Sequence, residues 1–295
     1  MKPFLIFIVA VLLSSCESTE HQFDASGVFE TTEIIVSAEA IGKIIHFDIQ
    51  EGQVVSPGQL IGIIDTTQLY LRKMQLLSSV KALQTRKPDI TKQIATIEQQ
   101  ISTAKRDQQR MENLIKENAA TQKQLDDVTA QVLFLEKQLS AQRSTLENSE
   151  QSINEESNAL RIQIEQVNDQ IQKSKITAPL PGTILVKYVE AGEFATTGKP
   201  LFKIADTQNM FLRAYVTSNQ LSQLRIGQGV KVFADFGEEG YKEYAGLVSW
   251  ISTKSEFTPK TIQTKDERAN LVYAIKIAVK NDGYIKIGMY GSVKL

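Results

Sequence analysis

Few residues in this 295-residue chain have the types and spacing that chemistry requires. Histidine occurs twice, at His21 and His46, and cysteine once, at Cys16. Two distant imidazoles make no metal site, and a single thiol excludes an intrachain disulfide and a cysteine-based zinc cluster. Met74, Met111, Met210 and Met289 are scattered and read as core filler rather than soft-metal ligands. The 33 Lys and Arg against 34 Asp and Glu leave a net charge of −1, so no global field draws the chain to nucleic acid or acidic lipid. No catalytic residue, metal ligand, cofactor or nucleic-acid partner is expected. One position stands apart: Cys16 follows an apolar Leu13 and two small residues, Ser14 and Ser15. Small neighbours let a peptidase close on the backbone, and the thiolate can then carry a lipid.

The leader before Cys16 fits that chemistry. Met1 and Lys2 supply a positive start, and Phe4 to Leu13 is an apolar stretch of ten residues. That is too short to span a bilayer as a helix but suits the core of a secretory signal. Leu13-Ser14-Ser15-Cys16 resembles the lipobox of bacterial lipoproteins. The resemblance implies a lipoprotein signal peptide over residues 1–16, an acylated Cys16 and a polar tether from Glu17 to Gln22. The expected compartment is outside the cytoplasm, on a membrane surface.

Downstream, two stretches repeat one another. In AIGKIIHFDIQEGQVVSPG (Ala40–Gly58) and LPGTILVKYVEAGEFATTG (Leu180–Gly198), the second glycine falls ten residues after the first and the third six later. These glycines are Gly42, Gly52 and Gly58, then Gly182, Gly192 and Gly198. Apolar residues alternate after each first glycine, which predicts short strands joined by turns. Between Gly62 and Gly182 there is no glycine, and apolar residues recur at three- and four-residue spacing from Leu76 to Ile115 and from Leu125 to Ile171. Sustained heptads predict a coiled-coil seam. The pattern fails at Glu117-Asn118-Ala119-Ala120, which reads as a reversal, with Thr121 as the cap of the second arm. Pro88 is expected to kink or divide the first arm. A stutter is expected in the second, where Glu156, Leu160 and Ile164 are two steps of four apart.

Such a hairpin returns the chain to where it left, so the two glycine-marked segments can complete one β domain. Paired half-motifs of this kind resemble the halves of a biotinyl/lipoyl domain, with the hairpin inserted at the exposed turn. Neither half carries a Met-Lys attachment sequence, so no cofactor arm is expected. After the second half, residues 211–216, 229–235, 244–252, 270–279 and 291–295 read as strands. Asn281-Asp282-Gly283 reads as a hairpin turn, Ser218–Leu224 as a short helix capped by Thr217 or Ser218, and Asp24–Val36 as one more strand closing a small barrel. The fold class is therefore α+β: a long antiparallel coiled-coil α-hairpin inserted between two halves of a lipoyl-like β domain, followed by a small β-barrel. The expected divisions are 1–16 signal peptide, 17–37 tether and first barrel strand, 38–66 first half, 67–175 hairpin with its tip at about 116–121, 176–206 second half, and 207–295 barrel.

This order resembles the HlyD-like membrane fusion proteins, or periplasmic adaptors. The strongest marks are ITAPLPGTILVKYVEAGEF (Ile176–Phe194) and TPKTIQTKDERANLVYAIKI (Thr258–Ile277), the second similar to adaptors of ABC-type exporters. The resemblance implies a non-enzymatic homo-oligomer, hexameric in most members. It also implies a bridge between an inner-membrane transporter, here of ABC type, and a TolC-like outer-membrane channel. Localisation would be periplasmic, with the lipid anchor in a membrane, the inner one favoured. Some members dock the channel with an Arg, a Leu four residues later and a Ser or Thr seven after that. Arg110, Leu114 and Thr121 have that spacing and flank the reversal. The alternative for these residues is an exposed Arg, a seam Leu and a capping Thr. The alternatives for the whole chain are a structural envelope-spanning spacer and an acyl carrier. With the sequence ending at the close of the barrel, adaptors of resistance-nodulation-division pumps, which usually carry a further membrane-proximal domain, are disfavoured in this expectation.

Overall fold

The glycine repeat builds a two-sheet sandwich with an internal two-fold. In a computed structural model that describes residues 23–237, 240–257 and 271–295, the first half supplies β2 (Glu33–Ser37), β3 (Gly42–Phe47), β4 (Val54–Val55) and β5 (Leu60–Ile64), after a barrel strand β1 (Ala25–Glu30). The second half supplies β6 (Lys175–Thr177), β7 (Gly182–Lys187), β8 (Phe194–Ala195) and β9 (Pro200–Ala205). One sheet runs β2-β9-β7-β4 and the other β6-β5-β3-β8. Each sheet thus takes strands from both halves, and shifting every residue by 140 turns one into the other. The Gly52 N–H donates to the Ile184 carbonyl at 2.8 Å, and the Gly192 N–H to the Ile44 carbonyl at 2.7 Å. Gly58 and Gly198 donate equivalently to Ala178 and Ala38, both at 2.8 Å. Gly52 and Gly192 sit at φ 85° and 99°, where a Cβ is disfavoured, which explains why glycine stands at both places. The buried core repeats as well, with Ile44 matched by Ile184 and Ile64 by Ile204.

Residues 24–36 do not form one strand. β1 enters the barrel, whereas β2 pairs with β9, Ile34 opposite Ile204 and Val36 opposite Phe202. Ile34 and Val36 pack on the sandwich core, so residues 33–37 belong with the first half and not with the tether.

The insert is a helical hairpin whose first arm is divided. α1 (Thr67–Gln84) and α2 (Ile90–Lys116) are separated by a short break at Pro88, and both pack along one continuous helix, α3 (Gln122–Lys173). Its 52 residues extend about 78 Å at ~1.5 Å per residue. Asp89 caps α2 by accepting the Lys92 N–H at 3.1 Å. Cross-arm pairs mark the register: Lys87 with Glu150 at 3.3 Å, Glu98 with Arg143 at 3.3 Å, and Lys105 with Glu136 at 2.6 Å. The midpoint of each pair falls between residues 118 and 121. The seam buries Ile101 and Ala104 against Val132 and Leu135, with Ile97 and Leu139 packed beside them. Its continuation corrects the expected stutter. Ser157, not Glu156, occupies the seam, 5% exposed, so the series 153, 157, 160, 164, 167 alternates steps of four and three without interruption.

The remaining strands are β10 (Asn209–Thr217), β11 (Gly229–Asp235), β12 (Tyr241–Phe257), β13 (Leu271–Lys280) and β14 (Tyr290–Lys294). With β1 they close a barrel in the order β1-β10-β13-β12-β11-β14 around Phe29, Met210, Leu212, Val232, Ile275 and Ile277. Helix α4 is one turn, Ser218–Leu221, capped by Thr217; it stops early because Leu224 turns into the barrel core. Asn281-Asp282-Gly283 is not a hairpin turn, because β13 and β14 do not pair. Asn281 instead ties the loop to itself and to the sandwich–barrel link at Thr207. Its Nδ2 donates to the Thr207 and Ile285 carbonyls, each at 2.9 Å, and its Oδ1 accepts the Gly283 and Ile285 N–H groups, each at 3.0 Å.

Candidate functional site at the hairpin tip

The reversal is built from backbone geometry on one side and a side-chain cap on the other. α2 ends with Asn118 at φ 61°, the one non-glycine residue at positive φ among the described residues. Asparagine tolerates this left-handed conformation better than most residues, and it lets two orphan carbonyls find donors. The Ala119 N–H bonds the Leu114 carbonyl at 2.8 Å, and the Asn118 N–H bonds the Ile115 carbonyl at 2.9 Å. Thr121 then opens α3 from an extended conformation. Its N–H and its hydroxyl both donate to Gln124 Oε1, at 2.8 and 3.0 Å. The turn is thus pinned at both ends.

Arg110, Leu114 and Thr121 all fall within the last two turns of the hairpin. Arg110 is exposed, and its Nη1 lies 3.4 Å from Asp107 Oδ1, one turn back on the same helix. An exposed pair at this spacing contributes only a few tenths of a kcal/mol, so the guanidinium is available to a stronger partner. Leu114 is half-buried, and its carbonyl holds the turn. Thr121 is exposed on the other arm and works as a cap. The structural part of the alternative reading therefore coexists with an exposed arginine and threonine at a protruding end. The sequence reading placed Asn118 in the reversal but missed Gln124. The Thr-x-x-Gln spacing is the signal that could have found the cap.

The described residues elsewhere contain no group of three or more His, Cys, Asp or Glu placed to hold a metal ion. No described helix is long and apolar enough to cross a membrane. Cys16 lies outside the described residues, as does the whole Thr258-to-Asn270 stretch. A polar cluster on the barrel fastens loops together. Lys242 Nζ lies 2.6 Å from Asp282 Oδ2, and the Tyr244 hydroxyl and Tyr284 N–H donate to Asp282 Oδ1 at 3.0 and 3.1 Å. These bonds, the lysine's first, hold the Asp282 carboxyl down at about 2. Burial, with Asp282 beside it, pushes the Tyr244 phenol up.

Comparison with known proteins places this geometry. Residues 33–207, the sandwich with its inserted hairpin, match the family described as "RND MFP, barrel-sandwich hybrid domain". That description lends no support to setting the resistance-nodulation-division adaptors aside. The chain is 34% identical over 125 residues to proteins of Salmonella gallinarum and Salmonella paratyphi B named "UPF0194 membrane protein YbhG". The match covers 42% of this chain and only 37% of those relatives. Among solved structures, MacA from Actinobacillus actinomycetemcomitans superposes with a TM-score of 0.56 at 19% identity, covering 91% of this chain and 76% of that one. A membrane fusion protein from Streptococcus pneumoniae superposes with a TM-score of 0.52 at 15% identity, covering 92% and 97%. At these identities the two superpositions establish the fold alone.

Proposed function

This chain belongs to the membrane fusion proteins, the periplasmic adaptors of efflux systems, and from that premise we propose that it couples an ABC-type inner-membrane transporter to a TolC-like outer-membrane channel. Adaptors of this family generally link inner-membrane transporters to outer-membrane channels and oligomerise, and they are non-catalytic in general. In this reading Arg110, Leu114 and Thr121 form the channel contact, acylated Cys16 holds the protein at a membrane, and protomers close into a hexameric ring. The observation that carries it is the tip. A pinned reversal stands at the end of a stiff hairpin about 78 Å long, with an arginine whose one partner among the described residues is a weak pair on its own helix. Arg can fork onto a carboxylate or onto backbone carbonyls, Leu114 adds an apolar contact and Thr121 a hydrogen bond.

Ring closure draws support from the internal two-fold. Val54 and Phe194 are equivalent positions, 68% and 60% exposed, and the two-fold presents them on different faces of one sandwich. Such a unit can contact its neighbours head to tail, which closes a ring when the rotation allows.

The test is Arg110→Asp. On an exposed helix surface its folding cost stays within about 0.5 kcal/mol, whereas against a channel groove it replaces attraction by repulsion. The expected outcome is normal helicity, melting temperature and localisation, with export lost. Normal export at normal expression would reject the docking role.

A further inference from the structure

The barrel has a near end and a far end. The links at residues 31–32 and 206–208 join it to the sandwich, so the far end collects the starts of β1, β11 and β13 and the ends of β10, β12 and β14. There the first described residues meet the last: the Asp24 N–H donates to the Val293 carbonyl at 3.0 Å, and the Leu295 N–H donates to Asp24 Oδ2 at 2.8 Å. Three exposed cations, Arg225, Lys254 and Lys294, belong to this end, and none has an ion-pair partner among the described residues. The carboxylates nearby are engaged, Asp24 with the Leu295 N–H and Glu256 with Arg213 at 3.4 Å. Beside Arg225, Ile226 is 68% exposed, and Leu271 at the start of β13 is 51% exposed. The turn holds Ile226 outward, since the Gly227 N–H bonds the Val248 carbonyl at 2.8 Å and the Arg225 N–H bonds Gln228 Oε1 at 3.1 Å.

We propose that this far end rests on anionic phospholipid headgroups, with Arg225, Lys254 and Lys294 among the phosphates and Ile226 at the water–lipid boundary. The inference rests on acylation of Cys16. Only six residues separate Cys16 from Phe23, seven steps that span at most about 25 Å at ~3.3–3.6 Å per residue. That is shorter than the ~30 Å length of the nine-residue β10, so the anchor keeps the far end, not the sandwich, at the bilayer. The chain's net charge of −1 gives no general pull, but the attraction of a surface acts within about one Debye length and is therefore set by the local cations. Each lysine or arginine near an anionic surface multiplies the partition about fivefold, so three amount to about a hundredfold. An isoleucine held in water by its turn gains further from burial in the interface.

The experiment uses the full-length chain reconstituted on vesicles of phosphatidylcholine alone or with about a third phosphatidylglycerol. An environment-sensitive dye is placed at Ile226→Cys, and at Gln99→Cys as a control on the exposed mid-arm of the hairpin. The expected result is a blue shift of the Ile226 dye on phosphatidylglycerol vesicles only, reversed by high salt and by the combined Arg225→Glu, Lys254→Glu and Lys294→Glu substitutions. The Gln99 dye stays unchanged. A water-like spectrum at Ile226 on phosphatidylglycerol vesicles, or a shift indifferent to lipid charge and to the substitutions, overturns the proposal. Sedimentation with pure phosphatidylcholine vesicles reports the anchor separately. If it fails, charge-dependent sedimentation with phosphatidylglycerol vesicles becomes the readout, and its absence overturns the proposal.

Discussion

Single residues here act through the partners they collect. Asp282 accepts bonds from Lys242, Tyr244 and Tyr284, and its carboxyl is held at about 2, below the ordinary value near ~3.9. An acid whose folded pKa is depressed adds stability above its unfolded pKa and loses it as pH falls through the folded value. The contribution of Asp282 is therefore complete at neutral pH and fades between about pH 4 and pH 2. Asp282→Asn should lower the melting temperature at pH 7 and flatten that part of the acid-induced fall. Calorimetric scans of both proteins from pH 2 to 7 would check this, and curves that stay parallel would contradict it. In sequence this residue read as the centre of a hairpin turn. Asn-Asp-Gly serves equally to reverse a strand or to bond neighbouring loops, and only the tertiary partners decide. The tip was more legible, since Arg110 and Leu114 precede a visible loss of heptads and Thr121 follows it.

Elements were legible where their period was long and less so where a single residue broke the pattern. The seam of α3 passes through Ser157, whose buried hydroxyl has no hydrogen-bond partner among the described residues, beside a cavity of about 220 Å³ lined by Gln84, Lys87, Ile153 and Arg161 among others. This void sits opposite the break between α1 and α2. Ser157→Leu would fill part of it and remove the unpartnered hydroxyl, so we expect the hairpin to gain about 1 kcal/mol. Urea unfolding followed at 222 nm measures this; a loss of stability would mean that the site is already tightly packed. A serine in a seam cannot be recognised by apolar periodicity, which is why the sequence pointed to a stutter at Glu156. The division between β1 and β2 was hidden for a related reason. Both strands alternate, and only pairing with β10 or β9 assigns one to the barrel and the other to the sandwich. The hairpin, the divided first arm and the glycine repeat, by contrast, followed directly from residue types.

For the whole molecule the two-fold in the sandwich is the organising fact. It brings the two ends of a helical insertion of more than a hundred residues back to one rigid base. A cavity of about 580 Å³ lies at that base, lined by Ile41, Leu69, Lys173 and Phe194 among others. The barrel joins the same base through two short links, at residues 31–32 and 206–208, so barrel and hairpin each leave the sandwich by their own connections. That geometry suits a coupling device better than a passive spacer, because stiff helices carry displacement from base to tip. The central claim is that the tip engages an outer-membrane channel. It is tested most directly by placing a photo-reactive amino acid at Arg110 or, as a control, at the exposed mid-arm position Gln99 in living cells. The account predicts a cross-linked adduct with an outer-membrane channel protein from position 110 and none from position 99. No adduct from position 110, or equal adducts from both, would contradict it.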